Sequence, residues 1–143
     1  MLAQLLADEG RAESALTECG RVLRIAPEHV DAHLLASRLL AESGNPAAAE
    51  RQLRAALKHE PESVEAQTNL GIVLAMRGKL DDAIEALRQS LRLSDDPDTH
   101  FNLAAVFEQR GHWNEARSHY QQALELAPAF DAARHRLRDL DLR

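Results

Sequence analysis

The chain has 143 residues, 45% apolar but only 3% aromatic, so its core must be built mainly from Leu and Ala, residues that favour helix. A formal net charge of −6 argues against general binding to a nucleic-acid backbone and against docking on an anionic membrane, both of which need clustered positive charge. Cys19 is the only cysteine, which excludes an intrachain disulfide and a cysteine-rich zinc site.

Residues 1–10 lack the positive stretch and apolar core of a secretory signal, and no apolar run approaches the length of a membrane span. With one unpaired cysteine, this leads us to expect a cytoplasmic location. The first predicted helices, 2–9 and 12–25, make a partial unit over 1–29. Met1 enters partway through what would be its first helix. Either that helix is short or the chain is cut from a longer array, and an open end without a polar cap favours the cut. Helices at 31–43 and 46–59 follow in a unit spanning 30–63, with Leu34, Leu35, Leu39 and Leu40 in one apolar stripe. A unit over 64–96 holds helices at 64–77 and 80–93. Its stripes are Val64, Leu70, Val73 and Leu74, then Leu80, Ala83, Ile84, Leu87, Leu91 and Leu93. The unit 97–130 holds helices at 98–110 and 113–126. A last helix at 130–140, within the segment 131–143, carries Arg134, Arg136, Arg138, Asp139 and Asp141 on its outer positions, as a closing helix needs.

One period runs through these elements. Gly10, Gly44, Gly78 and Gly111 are separated by 34, 34 and 33 positions, Ala15, Ala49, Ala83 and Ala116 follow five later, and Pro27, Pro61, Asp95 and Pro128 follow seventeen later. Glycine ends a helix in the left-handed region, alanine lets two helices approach, and proline stops the second helix. The unit therefore reads as helix, glycine turn, helix, proline turn. Such a unit cannot bury its apolar face alone and must stack on its neighbours.

These residues resemble the tetratricopeptide repeat family. The last unit reads His100, Leu103, Ala104, Phe107, Gly111, Ala116, Tyr120, Ala123 and Pro128 at the family's offsets. The third reads Gln67, Leu70, Gly71, Leu74, Gly78, Ala83, Leu87, Ser90 and Asp95, and the second reads His33, Ala36, Ser37, Leu40, Gly44, Ala49, Leu53, Ala56 and Pro61. The first unit keeps Gly10, Ala15, Cys19, Val22 and Pro27. His33, Gln67 and His100 stand where the family has a large aromatic. The third unit is one residue short and has Asp95 in place of proline, with Pro97 following, so a local change of geometry is expected there.

The resemblance implies an all-α, right-handed superhelical solenoid of antiparallel helix hairpins whose concave side receives a protein or peptide. The family's groove-facing positions map to Asp31, Leu34, Leu35, Arg38, Ala41 and Glu42, then to Glu65, Thr68, Asn69, Ile72, Ala75 and Met76, and then to Asp98, Phe101, Asn102, Ala105, Glu108 and Gln109. Asn69 and Asn102 occupy the same site in successive units. A carboxamide donates and accepts, so the pair can hold a peptide backbone; the alternative is a hydrated consensus position. Arg38 can meet a partner's carboxylate, but pairing with Glu42 four residues on is the favoured reading. With Asp31, Glu42, Glu65, Asp98 and Glu108 against one cation, the ligand expected is a neutral-to-basic extended segment anchored on Leu35, Ile72, Met76 and Phe101. Self-association and service as a non-catalytic arm of a larger enzyme are the alternatives.

No nucleophile elbow, phosphate-cradling loop or dinucleotide fingerprint occurs, so catalysis and cofactors are not expected. His29 and His33 are four apart, but His29 falls in the Pro27 turn and no third metal ligand is near. Trp113 reads as a core or half-core wedge, Cys19 as a buried small hydrophobe, and Glu18, Glu50, Glu85 and Glu125 as members of a mixed-charge outer face.

Overall fold

The computed structural model describes residues 1–143 as nine α-helices with no strand. They are α1 (Leu2–Asp8), α2 (Ala12–Ile25), α3 (Val30–Glu42), α4 (Pro46–His59), α5 (Val64–Met76), α6 (Leu80–Leu93), α7 (Pro97–Gln109), α8 (Trp113–Leu126) and α9 (Asp131–Asp141). Local chemistry sets their ends. The Asn45, Ser63 and Asp96 side chains each accept a hydrogen bond from a first-turn amide, at Ala48, Ala66 and Thr99 respectively. Pro46 and Pro97 open α4 and α7, where their missing N–H costs nothing. At Gly44 the chain turns at φ +80°, and the next amide, Asn45 N–H, reaches back to Leu40 O at 2.8 Å. The same closure recurs at Gly78, where the Lys79 amide reaches Leu74 O at 2.9 Å.

Four hairpins result, α1/α2, α3/α4, α5/α6 and α7/α8, with α9 packed on α8. Each crosses at a fully buried alanine: Ala15, Ala49, Ala83 or Ala116. One turn further along the same second helices, Cys19, Leu53, Leu87 and Tyr120 lie on the same face and are all buried, as expected for Cys19. Gly71 marks the tightest approach. A Cβ there would lie 2.5 Å from Leu87 Cγ, so only glycine lets α5 sit this close to α6. Successive first helices touch directly, α1 with α3, α3 with α5 and α5 with α7. The first helices therefore form the continuous inner layer of an all-α solenoid.

Polar groups inside the stack set how the hairpins dock. Glu50 is only 6% exposed. Its carboxylate accepts from Arg54 Nε at 2.9 Å, from Lys79 Nζ at 3.3 Å and from Arg77. Burial pushes the carboxyl up, but the three cations outweigh it and bring it down to about 2. Glu50 is thus no outer-face charge. It clamps α4 to the α5–α6 turn, because packing of one hairpin on the next brings Arg77 and Lys79 to it.

The irregular third unit has a structural counterpart. The link from α6 to α7 is three residues long, where the other unit-to-unit links have four, and Ser94 is fully extended (φ −153°, ψ 124°) where Ala26, Glu60 and Ala127 are not. A buried hydroxyl chain bridges this junction. Thr99 Oγ1 donates to the Asp96 carboxylate, Thr68 Oγ1 lies 3.1 Å from Thr99 Oγ1 and 2.7 Å from Ser90 Oγ, and Ser90 also reaches the Val64 carbonyl at 3.3 Å. Thr68 therefore turns into the hairpin junction instead of the groove, a correction to its expected place.

In the last hairpin His100 replaces the family aromatic as a buried contact residue. Its Nε2–H donates to Asp95 at 2.8 Å, which leaves Nδ1 to accept from His119 Nδ1–H at 2.9 Å. The His119 ring stacks on Phe107 at 5.6 Å. Burial, then the neighbouring His100 and Arg88, hold His119 down at about 4. Trp113 is not a wedge: it is 43% exposed and lies under the Arg143 guanidinium at 4.7 Å.

Candidate binding groove

The concave layer of α1, α3, α5 and α7 holds a line of open hollows. The first has a volume of 440 Å³ and lies over α1, α3 and α5; Met1, Gln4, His29 and Leu34 line it together with Asp31, Leu35, Arg38, Glu65 and Asn69. A second, of 160 Å³, sits between α3 and α5, with Arg38, Glu42, Asn69 and Ile72 in its wall. A third of equal volume lies between α5 and α7, lined by Ile72, Ala75, Met76, Asn102, Ala105 and Gln109. Asn69 lines the first and second hollows and Ile72 the second and third, so they form one path across four helices.

Of the groove positions carried over by resemblance, Thr68, Asp98, Phe101 and Glu108 line none of these hollows. Phe101 is half-buried, its ring 5.4 Å from Tyr120 and 5.1 Å from Phe130, so it joins the last hairpin to the turn before α9. Leu35 reaches the first hollow but is 5% exposed, with most of its surface spent on the α1–α2–α3 core. Glu108 is engaged as well. It accepts from the Tyr120 hydroxyl at 2.9 Å and pairs with Arg136 of α9 at 3.1 Å. Burial, with Glu108 adding to it, pushes the Tyr120 phenol up to about 12. Met1 and Gln4 were missed although the period points at them: Met1 is in phase with Leu35, Asn69 and Asn102, and Gln4 with Arg38, Ile72 and Ala105.

The groove's charges divide in two. Arg38 pairs with Glu42 at 3.7 Å, as the helix spacing suggests. Asp31, Glu65 and Asp98, in the first turns of α3, α5 and α7, are exposed and make no ion pair. The Asn69 and Asn102 carboxamides are taken up by no other group of the chain. His29 caps α3 through Nδ1, His33 bonds to Gln52 and the Pro27 carbonyl, and no cluster of three His, Cys, Asp or Glu side chains has the geometry for a metal ion. No helix is long and apolar enough to cross a membrane.

Comparison with known proteins agrees with this architecture. No curated protein matches the chain in sequence. Among solved structures, a thermophilic tetratricopeptide protein of Thermus thermophilus, TTC0263, is 25% identical with a TM-score of 0.86, over 99% of this chain and 79% of that one. MamA of Desulfovibrio magneticus RS-1, from residue 41 to its end, is 19% identical with a TM-score of 0.90, over 99% of this chain and 81% of that one. YrrB, described as a tetratricopeptide protein with an unusual peptide-binding site, is 19% identical with a TM-score of 0.88, over 95% of this chain and 71% of that one. The tetratricopeptide repeat models match residues 1–50 and 34–98, and again 97–130, which together span residues 1–130. With the sequence period, the four hairpins and these matches in agreement, the chain belongs to the tetratricopeptide repeat family, whose fold is a protein–protein interaction module and typically non-catalytic.

Proposed function

We propose that this chain holds a neutral-to-basic, extended segment of a partner protein along the concave faces of α3, α5 and α7. The observation that carries the reading is the single path of hollows in which Asn69 and Asn102 stand one unit apart with unengaged carboxamides. Each can accept from and donate to a peptide backbone without selecting its side chains. Ile72, Met76 and Ala105 supply apolar contact between them, and Asp31, Glu65 and Asp98 supply negative charge on the same face. Apolar contact gives most of the binding energy, while charge gives steering and discrimination. Helices already packed lose little freedom on binding, which favours affinity. YrrB, with its peptide-binding site, shows that one protein of this fold takes peptides; the extension to this chain is our reading.

The test is a peptide array probed with the wild-type chain and with the Asn69→Ala, Asn102→Ala double variant. The reading predicts that the variant loses binding across sequences by about tenfold, since two backbone hydrogen bonds are removed. Equal binding by the two proteins would remove the backbone-holding role. A second reading is self-association through α1, favoured by Met1, Leu2 and Leu5, all more than half exposed. It predicts a native mass that rises with concentration, and a constant monomer mass would exclude it.

A further inference from the structure

The groove reading above can be extended to the conformation and spacing of its ligand. α3, α5 and α7 lie side by side in direct contact, and helices in contact pack with axes about 8–10 Å apart. Each presents one unpaired acid from its first turn, Asp31, Glu65 and Asp98, along the rim where the first helices begin. Away from that rim the hollow between α5 and α7 is apolar, with Ile72, Ala75 and Ala105 in its wall and Met76 52% exposed beside them. The face thus carries one negative charge per helix along one side and an apolar path along the other.

A ligand that meets every charge must repeat its own basic groups at the helix spacing. A β-strand returns to the same face every two residues, or about 6.7 Å, and falls out of step after one helix. A polyproline II segment turns once in three residues and rises about 3.1 Å per residue, so its same-side groups recur about every 9.3 Å. That length matches the helix spacing. This conformation also leaves every backbone N–H and C=O without an internal partner, which is what the Asn69 and Asn102 carboxamides would engage. We infer that the groove takes a partner segment in the polyproline II conformation with Lys or Arg at every third position. Its cations face Asp31, Glu65 and Asp98, and its aliphatic side chains enter the hollow beside Ile72 and Met76.

The test uses three fluorescein-labelled nine-residue peptides of one composition, each with three Lys, three Pro and three Leu. Lys falls at every third position in the first, at alternating positions in the second and in one block in the third. Anisotropy is read against the full chain, the triple variant Asp31→Asn, Glu65→Gln, Asp98→Asn, and the Asn69→Ala, Asn102→Ala double variant. None of the five side chains is buried, and helicity by circular dichroism checks folding. The first peptide should bind about tenfold tighter than the others, since three exposed pairs act together. The triple variant should erase that preference and leave the weaker binding common to all three. Equal affinities for the three arrangements, with loss in the asparagine variant, would overturn the spacing and leave the groove reading standing. A preference that survives in the triple variant would overturn the spacing as well. Binding by none of the peptides, or binding untouched by both variants, would overturn the spacing and the groove reading together.

Discussion

Replacing Glu50 with Gln should loosen the second hairpin from the third. The change keeps the shape of the side chain and removes the charge that Arg54, Arg77 and Lys79 share. Folding lowers this carboxyl from 4.5 to about 2, which at roughly 1.4 kcal/mol per pK unit is an upper figure of about 3 kcal/mol. The side chains of Arg54 and Lys79 are 56% and 39% exposed, so solvent weakens their share, and about 2 kcal/mol is the expected loss at pH 7. Because the folded value lies below the unfolded one, the contribution is complete above pH 4.5 and fades as the pH falls towards 2. Urea unfolding of both proteins at pH 7 and pH 2.5 reads it directly, with the difference between them isolating this carboxylate from the chain's other acids. A gap of about 2 kcal/mol at pH 7 that nearly closes at pH 2.5 is the predicted outcome. A gap below about 0.5 kcal/mol at pH 7, or one of equal size at both pH values, would refute the buried clamp.

Two further perturbations address the other polar junctions. Thr99→Val keeps the packed shape but removes the Thr99 hydroxyl's bonds to Asp96 and Thr68, while Thr68 keeps Ser90 as a partner, so urea unfolding should show a loss of about 0.5–1.5 kcal/mol, and no measurable loss would contradict the bridging role of this hydroxyl. His119 should titrate near pH 4 by NMR, with stability present above pH 6.5 and lost as the pH falls towards 4, because folding lowers its affinity for the proton; a midpoint at or above 6 would contradict its buried stacking on Phe107.

Helix positions were legible because the signals that place them are local. The predicted 46–59, 80–93 and 113–126 coincide with α4, α6 and α8, and 31–43 differs from α3 by one residue at each end. Asn45, Ser63, Asp96 and the turn glycines act within a few residues of themselves, so a linear reading finds them. The groove path was legible for a related reason, since the period that places Asn69 also places Asn102 on the same face. What escaped depends on docking between hairpins. Nothing near Glu50 in sequence announces Arg77 and Lys79, 27 and 29 positions away. Thr68 has the phase of a groove residue, yet Ser90 and Thr99 come from two other helices to meet it. The helical phase of Phe101 suggests an anchor in the groove, but phase carries no sign of Phe130, whose ring lies 5.1 Å away. Trp113 sits at the start of its helix on the rim of the stack, where phase alone overstated its burial.

The most direct measurement follows backbone amide shifts of the ¹⁵N-labelled chain as the nine-residue peptide with Lys at every third position is added. The account predicts that the largest saturable shifts fall at Glu65, Asn69, Ile72, Met76, Asn102 and Ala105, on the inner faces of α5 and α7. Shifts gathered instead on the outer helices α4, α6 and α8, or no saturable shift at all, would contradict it.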